Sequence, residues 1–271
     1  SVSFSDALVV EGGESIADVA EYTCVLRIEG PTLDAGEVEC VLGIRGEHVH
    51  VDRPARRSRP AVNLHRWEYP EKDDGSLRIW SSLEEAFRFS LEAMLPVRDR
   101  LARYVDSEDV YWWIGCFHQA ASTVMLLPRD LVDKLKAVGA PIPLDNYYSP
   151  PADEGIDDEQ IDAKGGGIEE PPRHSYRFWI DENRGPRGKY LTQDSRAEQL
   201  GEDADFAAGL QRVLEALGKA RRPGMWDRSD PMLVCEHDQY AFDGGPRLSR
   251  EHLQRLSDLG LGLALIWTWR P

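Results

Sequence analysis

Apolar positions change their period in the middle of residues 131–148, LVDKLKAVGAPIPLDNYY, and the same change recurs in residues 252–269, HLQRLSDLGLGLALIWTW. Val132, Leu135 and Val138 share one helical face, as do Leu253, Leu256 and Leu259. After Gly139 the pattern alternates through Ile142, Leu144, Asn146 and Tyr148, and after Gly260 through Leu263, Leu265, Trp267 and Trp269, as a half-buried strand requires. Each stretch therefore predicts a helix, a glycine stop and a strand. Gly139 and Gly260 stand where a helix closes on a left-handed residue, a conformation glycine takes without a Cβ clash.

The rest of the chain divides around these two copies. Residues 22–28, YTCVLRI, read as a strand by their β-branched and aromatic content, and residues 176–180, YRFWI, echo them. A helix is expected over 33–42, ending at Gly43, with Thr32 as its cap. Residues 46–66, with Arg53, Arg56, Arg57 and Arg59 among prolines, read as an exposed loop, followed by a hairpin of 67–69 and 77–80 turning at 73–75. Ser82 opens a helix with capping-box spacing to Glu85, and Pro96 must kink or restart it. Strands are expected over 110–118 and 123–127, joined through 119–122. In the second copy, Asp203 or Asp205 caps a helix carrying Phe206, Leu210, Val213, Leu214 and Leu217. Residues 231–236 and 239–242 form two strands there, and Ser249 caps the last helix. From first strand to last helix the second copy is shorter by about 33 residues, which corresponds to the arginine loop and hairpin. The fold class expected is α+β: two related units, each an antiparallel sheet with helices on one face, arranged as a pseudo-dimer.

Composition sharpens this division. Residues 149–175 are proline-rich at both ends, triple-glycine in the middle and acidic, without apolar period, so they read as a linker. The expected domains are then 1–148, with an N-terminal arm, and 176–271. With a net charge of −16 the chain repels a phosphate backbone, so nucleic acid is not an expected partner and cationic partners are favoured. No run approaches the roughly 18 apolar residues of a membrane span, and the first residues lack a signal peptide's basic and apolar regions, so no membrane is expected and the location is cytoplasmic. Cys24, Cys40, Cys116 and Cys235 never form C-x-x-C and read as free thiols.

Candidate chemistry is sparse. Cys116-Phe117-His118 recurs as Cys235-Glu236-His237 on matching strands, and residues two apart on a strand share a face. Four such groups suit zinc, or a thiol enzyme or small-ligand pocket between the copies; the same echo follows from repetition of a strand with a small buried cysteine. His48, His50 and Asp52 share one side if extended, a second arrangement open to a divalent ion or to an ordinary surface role. Trp112 and Trp113 point to opposite faces, which leaves Trp113 as a candidate contact residue. No established catalytic signature is present, so no enzymatic activity, metal or cofactor is expected.

YTCVLRI, VLGIRGE, the Trp67 strand, SLEEAFRFSLEAMLPVRDRL and LVDKLKAVGAPIPLDNYY together resemble the bacterial domain-of-unknown-function family DUF4279 over residues 21–148, and residues 176–269 look like a shortened relative. The resemblance implies fold and no reaction. By analogy with small acidic proteins that act as immunity partners of toxins, the expected function is a non-enzymatic acidic binding protein that neutralises a basic bacterial toxin by direct contact. Its partner-binding residues would be Asp153, Glu154, Asp157, Asp158, Glu159 and Trp113.

Overall fold

A computed structural model describes residues 20–53, 61–70, 76–107, 109–118, 122–148, 175–181, 201–203, 206–220, 231–239 and 246–269. The strands are β1 (Glu21–Gly30), β2 (Glu47–Arg53), β3 (Val62–Tyr69), β4 (Asp109–His118), β5 (Ser122–Leu127), β6 (Ile142–Tyr148), β7 (Ser175–Asp181), β8 (Gly201–Asp203), β9 (Met232–Gln239), β10 (Arg247–Leu248) and β11 (Gly262–Trp269). The helices are α1 (Ala35–Leu42), α2 (Leu83–Met94), α3 (Arg98–Ser107), α4 (Arg129–Val138), α5 (Phe206–Ala220) and α6 (Arg250–Leu259). The fold is α+β, with two sheets of order β10-β6-β4-β1-β3-β2 and β5-β11-β9-β7-β8. Both are mixed, because β4 runs parallel to β6 and β9 parallel to β11, which corrects the expectation of antiparallel sheets.

Local chemistry sets the helix ends. Asp34, not Thr32, caps α1: its carboxylate accepts from the amides of Gly36 and Glu37, two and three residues on, whereas Thr32 stands four and five residues before them. Ser82 caps α2, and Pro96 breaks it as expected: a 3₁₀ turn over Leu95–Val97 separates α2 from α3. Gly139 and Gly260 close α4 and α6 at φ +78° and +73°.

The two sheets repeat one pairing scheme. Tyr22 faces Cys116 and Tyr176 faces His237, while Ile114 faces Leu144 and Cys235 faces Leu265. α2 buries Leu83, Ala86, Phe87, Ser90, Leu91 and Met94, and α5 repeats that spacing with Phe206, Gly209, Leu210, Val213, Leu214 and Leu217. Yet β5 does not lie beside β4, whose two edges are taken by β1 and β6. It crosses to pair with β11, Leu127 against Leu263, and β10 returns the exchange by pairing with β6, Leu248 against Ile142. The sheets therefore do not follow the chain division expected between 148 and 176. Helices α4 and α6 pack across the same seam, with Arg129 against Gly260 and Arg250 against Gly139. Lys136 Nζ lies 3.3 Å from Asp258, and Ser257 Oγ donates to Asp133 at 2.6 Å. Among the described residues the larger apolar core runs through both sheets and the helices, with Trp67, Trp112 and Trp267 among its largest fully buried side chains.

Three further expectations are corrected. Residues 46–66 contain β2 and the start of β3, paired from Glu47 opposite Glu68 to Arg53 opposite Val62; their alternation is masked in sequence by histidines and arginines on the open face. Trp67–Tyr69 does not pair with 77–80: it lies between β1 and β2, and Trp80 instead bridges Tyr22. Residues 232–239 form one strand without the expected break at 237–238, because each faces a residue of β11; residues 240–242 of the second expected strand lie outside the described residues.

Candidate functional site

Alternate residues of β1 divide the environments of the first sheet. Tyr22, Cys24, Leu26 and Ile28 enter the core shared with the helices, and Thr23, Val25, Arg27 and Glu29 take the opposite face. Cys116 (2% exposed) and His118 (3%) lie on the core side of β4, as Cys235 (0%) and His237 (3%) do on β9. The two C-x-H motifs are nevertheless not equivalent. Cys116 occupies the position of His237, and Ile114 that of Cys235, so the sequence echo is slipped by two residues. A slip of two preserves the face and moves the side chain roughly 7 Å along the strand, which is why pattern matching does not detect it. His237 stacks on Tyr176 at 4.4 Å. Among the described residues, no group of three or more His, Cys, Asp or Glu is placed to hold a metal ion. Burial pushes the thiols of Cys24 and Cys235 upward, and that of Cys116 up to about 12, so they stand as protonated, non-nucleophilic groups.

His48, His50 and Asp52 share the open side of β2, as their alternation predicts, and are exposed. His48 Nε2 lies 3.4 Å from Glu39, and His50 stacks on His65 at 4.9 Å while its Nε2 pairs with Asn63 Oδ1 at 3.0 Å. Asp153, Glu154, Asp157, Asp158 and Glu159 lie outside the described residues, as do Arg56, Arg57, Arg59 and the N-terminal arm.

Trp113 lies on the sheet face opposite the helices, half-buried within a charged network. Its indole N–H donates to Asp145 Oδ2 at 2.6 Å, and the Arg27 guanidinium sits 4.2 Å from its ring. Arg27 ion-pairs with Glu68 at 2.9 Å, Arg66 bridges Glu68 and Glu29, and the Tyr111 hydroxyl donates to Glu29 at 2.8 Å. Burial, then the bond to Glu29, pushes the Tyr111 hydroxyl up to about 12. Glu68 is 2% exposed and Glu29 9%, so the two carboxylates are buried and Arg27, Arg66 and Tyr111 supply their partners from half-buried positions.

A surface aromatic cluster lies elsewhere in the first half, and the sequence reading did not single it out. Tyr69 stacks on Phe89 at 6.5 Å, Trp80 meets Phe89 at 5.2 Å, and Arg78 lies over both Trp80 and Phe89, at 4.4 and 4.6 Å. Ile79 is 52% exposed and Phe89 36%. β3 delivers Tyr69, the Trp80 bridge to Tyr22 holds residues 78–80, and α2 presents Phe89 between exposed Glu85 and Glu92. The available signal was Phe89 itself, an aromatic on the polar face of an otherwise amphipathic helix.

The family model of DUF4279, a domain of unknown function, matches residues 20–149. Residues 20–149 are a DUF4279-like domain. The DUF4279 match spans β1 to β6, including every residue of the aromatic cluster. No curated protein matches the chain. Outside the match, the counterparts of Trp80 and Phe89 are Asp203, opposite Tyr176 on β8, and Arg212 on α5, so the aromatic cluster belongs to the first half. Among the described residues, no helix is long and apolar enough to cross a membrane.

Proposed function

We propose that this protein acts by contact, as a non-enzymatic acidic binding protein. The observation that carries the reading is a surface cluster on a chain of net charge −16, in which Arg78, Ile79 and Phe89 are exposed and Tyr69 and Trp80 are half-buried behind them. Tyrosine and tryptophan are among the residues that dominate interface energies, because they bury large surfaces with little loss of conformational freedom. A basic polypeptide is drawn in by the acidic field and then anchored on the aromatic cluster, with Asp153, Glu154, Asp157, Asp158 and Glu159 as further carboxylates for its cations. The finer reading is that this polypeptide is a toxin and the chain its cytoplasmic immunity protein. Buried, protonated thiols support contact over thiol chemistry.

Co-expression with the polypeptide encoded by the adjoining reading frame, together with calorimetry of the purified pair, tests both levels. The expected result is relief of growth arrest and binding that weakens at least about tenfold in the Tyr69→Ala, Phe89→Ala double variant. Binding without relief would remove the immunity reading, and binding unaffected by the double variant would remove the aromatic cluster from it.

A further inference from the structure

Arg78 shows what the aromatic cluster accepts. Its guanidinium is exposed and rests on two rings at once, 4.4 Å from the centroid of Trp80 and 4.6 Å from that of Phe89, while Tyr69 extends the stack behind Phe89. A guanidinium suits such a surface better than an ammonium ion, because it is planar and more weakly hydrated and so gives up less water on stacking. Glu85 and Glu92 flank Phe89 at i−4 and i+3 on the exposed ridge of α2, within reach of a cation seated on that ring.

We infer that Tyr69, Trp80 and Phe89 form a guanidinium-binding surface that takes an arginine side chain of a basic polypeptide partner, with Arg78 as the resident cation the incoming arginine displaces. This rests on the contact reading above. The partner's arginine takes over the two ring faces and the Glu85 and Glu92 carboxylates, while Arg78 swings into solvent. The resident arginine thereby selects for partners that present guanidinium, since a weaker cation does not compete for the rings.

Calorimetric titration of the full chain with a hexa-arginine and a hexa-lysine peptide at fixed salt tests the inference. Hexa-arginine is expected to bind more tightly than hexa-lysine. Arg78→Ala is expected to tighten hexa-arginine binding by about two- to fivefold beyond Arg255→Ala, a change of equal charge on α6, which corresponds to one exposed cation–π contact. Phe89→Ala in the Arg78→Ala background should abolish that gain; urea midpoints confirm that each variant is folded. Equal effects of Arg78→Ala and Arg255→Ala, or a gain that survives loss of Phe89, would overturn the displacement. Loss of partner binding in the Tyr69→Ala, Phe89→Ala variant together with that result would leave the contact reading standing without it.

Discussion

On the side away from the helices, the two sheets carry opposite chemistry at matching positions. Tyr111, Trp113 and Asp145 of the first sheet correspond through the strand registers to Met232, Val234 and Ile266 of the second. In the first sheet these positions join Arg27, Glu29, Arg66 and Glu68 in an ion network; in the second, Met232, Val234 and Ala264 form an apolar cluster with Leu126 and Ile266. The difference follows from β3, which supplies Arg66 and Glu68 and has no counterpart among the described strands of the second sheet. Hydrocarbon gains from burial without a partner, at roughly 25 cal/mol per Å². Buried charge holds only while every partner is present.

The largest expected effect comes from breaking that dependence. Glu68→Ala leaves Arg27 facing a lost carboxylate and Arg66 with one of two, at a site 2% exposed, and should cost about 3–5 kcal/mol in urea unfolding. Replacing Arg27, Glu29, Arg66 and Glu68 together by apolar residues, in imitation of the second sheet, should cost far less. A Glu68→Ala penalty under about 1 kcal/mol would mean that the network is solvated and that the two faces differ in composition alone.

The strand exchange offers the next test. Leu127 and Leu248 hold corresponding positions in opposite sheets, and both are fully buried. Truncating either to alanine should cost about 2–5 kcal/mol. Because each half of the chain completes the other's sheet, both variants should unfold in one transition, with tryptophan fluorescence and far-ultraviolet circular dichroism coinciding. Separate transitions would show that the sheets stand independently.

Much of this arrangement was legible in the sequence where local chemistry decides the outcome. The helix–glycine–strand repeat, the break at Pro96 and the caps at Ser82 and Ser249 follow from backbone sterics and hydrogen bonding within a few residues. Trp113 on the face opposite Trp112 followed from the two-residue period of a strand. What was not legible depended on partners distant in the chain. The period of β5 is the same in either sheet, so its crossing to β11 leaves no local mark. The two-residue slip between Cys116 and Cys235 preserves every in-or-out assignment, and it becomes visible only through the pairing with Tyr22 and Phe178. The aromatic cluster draws on β3, residues 78–80 and α2, three segments that no short window contains.

The smallest effect separates two ways of starting one helix. Helix α4 begins after Pro128 with no side-chain cap, and its Leu131 is fully buried. Helix α6 begins after Ser249, whose hydroxyl accepts from the His252 amide at 3.2 Å while the Ser249 amide donates to His252 Nδ1 at 3.2 Å. That acceptor role requires a neutral imidazole, and His252 takes the place of Leu131. Burial pushes its pKa below the ordinary value of 6.5, against the opposing pull of Glu251 and of the Ala207 backbone and alongside the repulsion of Arg255. The neutral form therefore contributes stability that is complete above pH 6.5 and is lost as the pH falls through the lower folded value. His252→Leu, which copies the first half, should remove the part of the stability loss between pH 7 and 5 that belongs to this residue. Its cost at pH 7 should be about 1 kcal/mol or less, since a buried leucine offsets the lost hydrogen bond. Urea unfolding of both proteins across that range checks it: an unchanged slope would show that protonation elsewhere governs the acid limb and that the two helix starts are energetically alike.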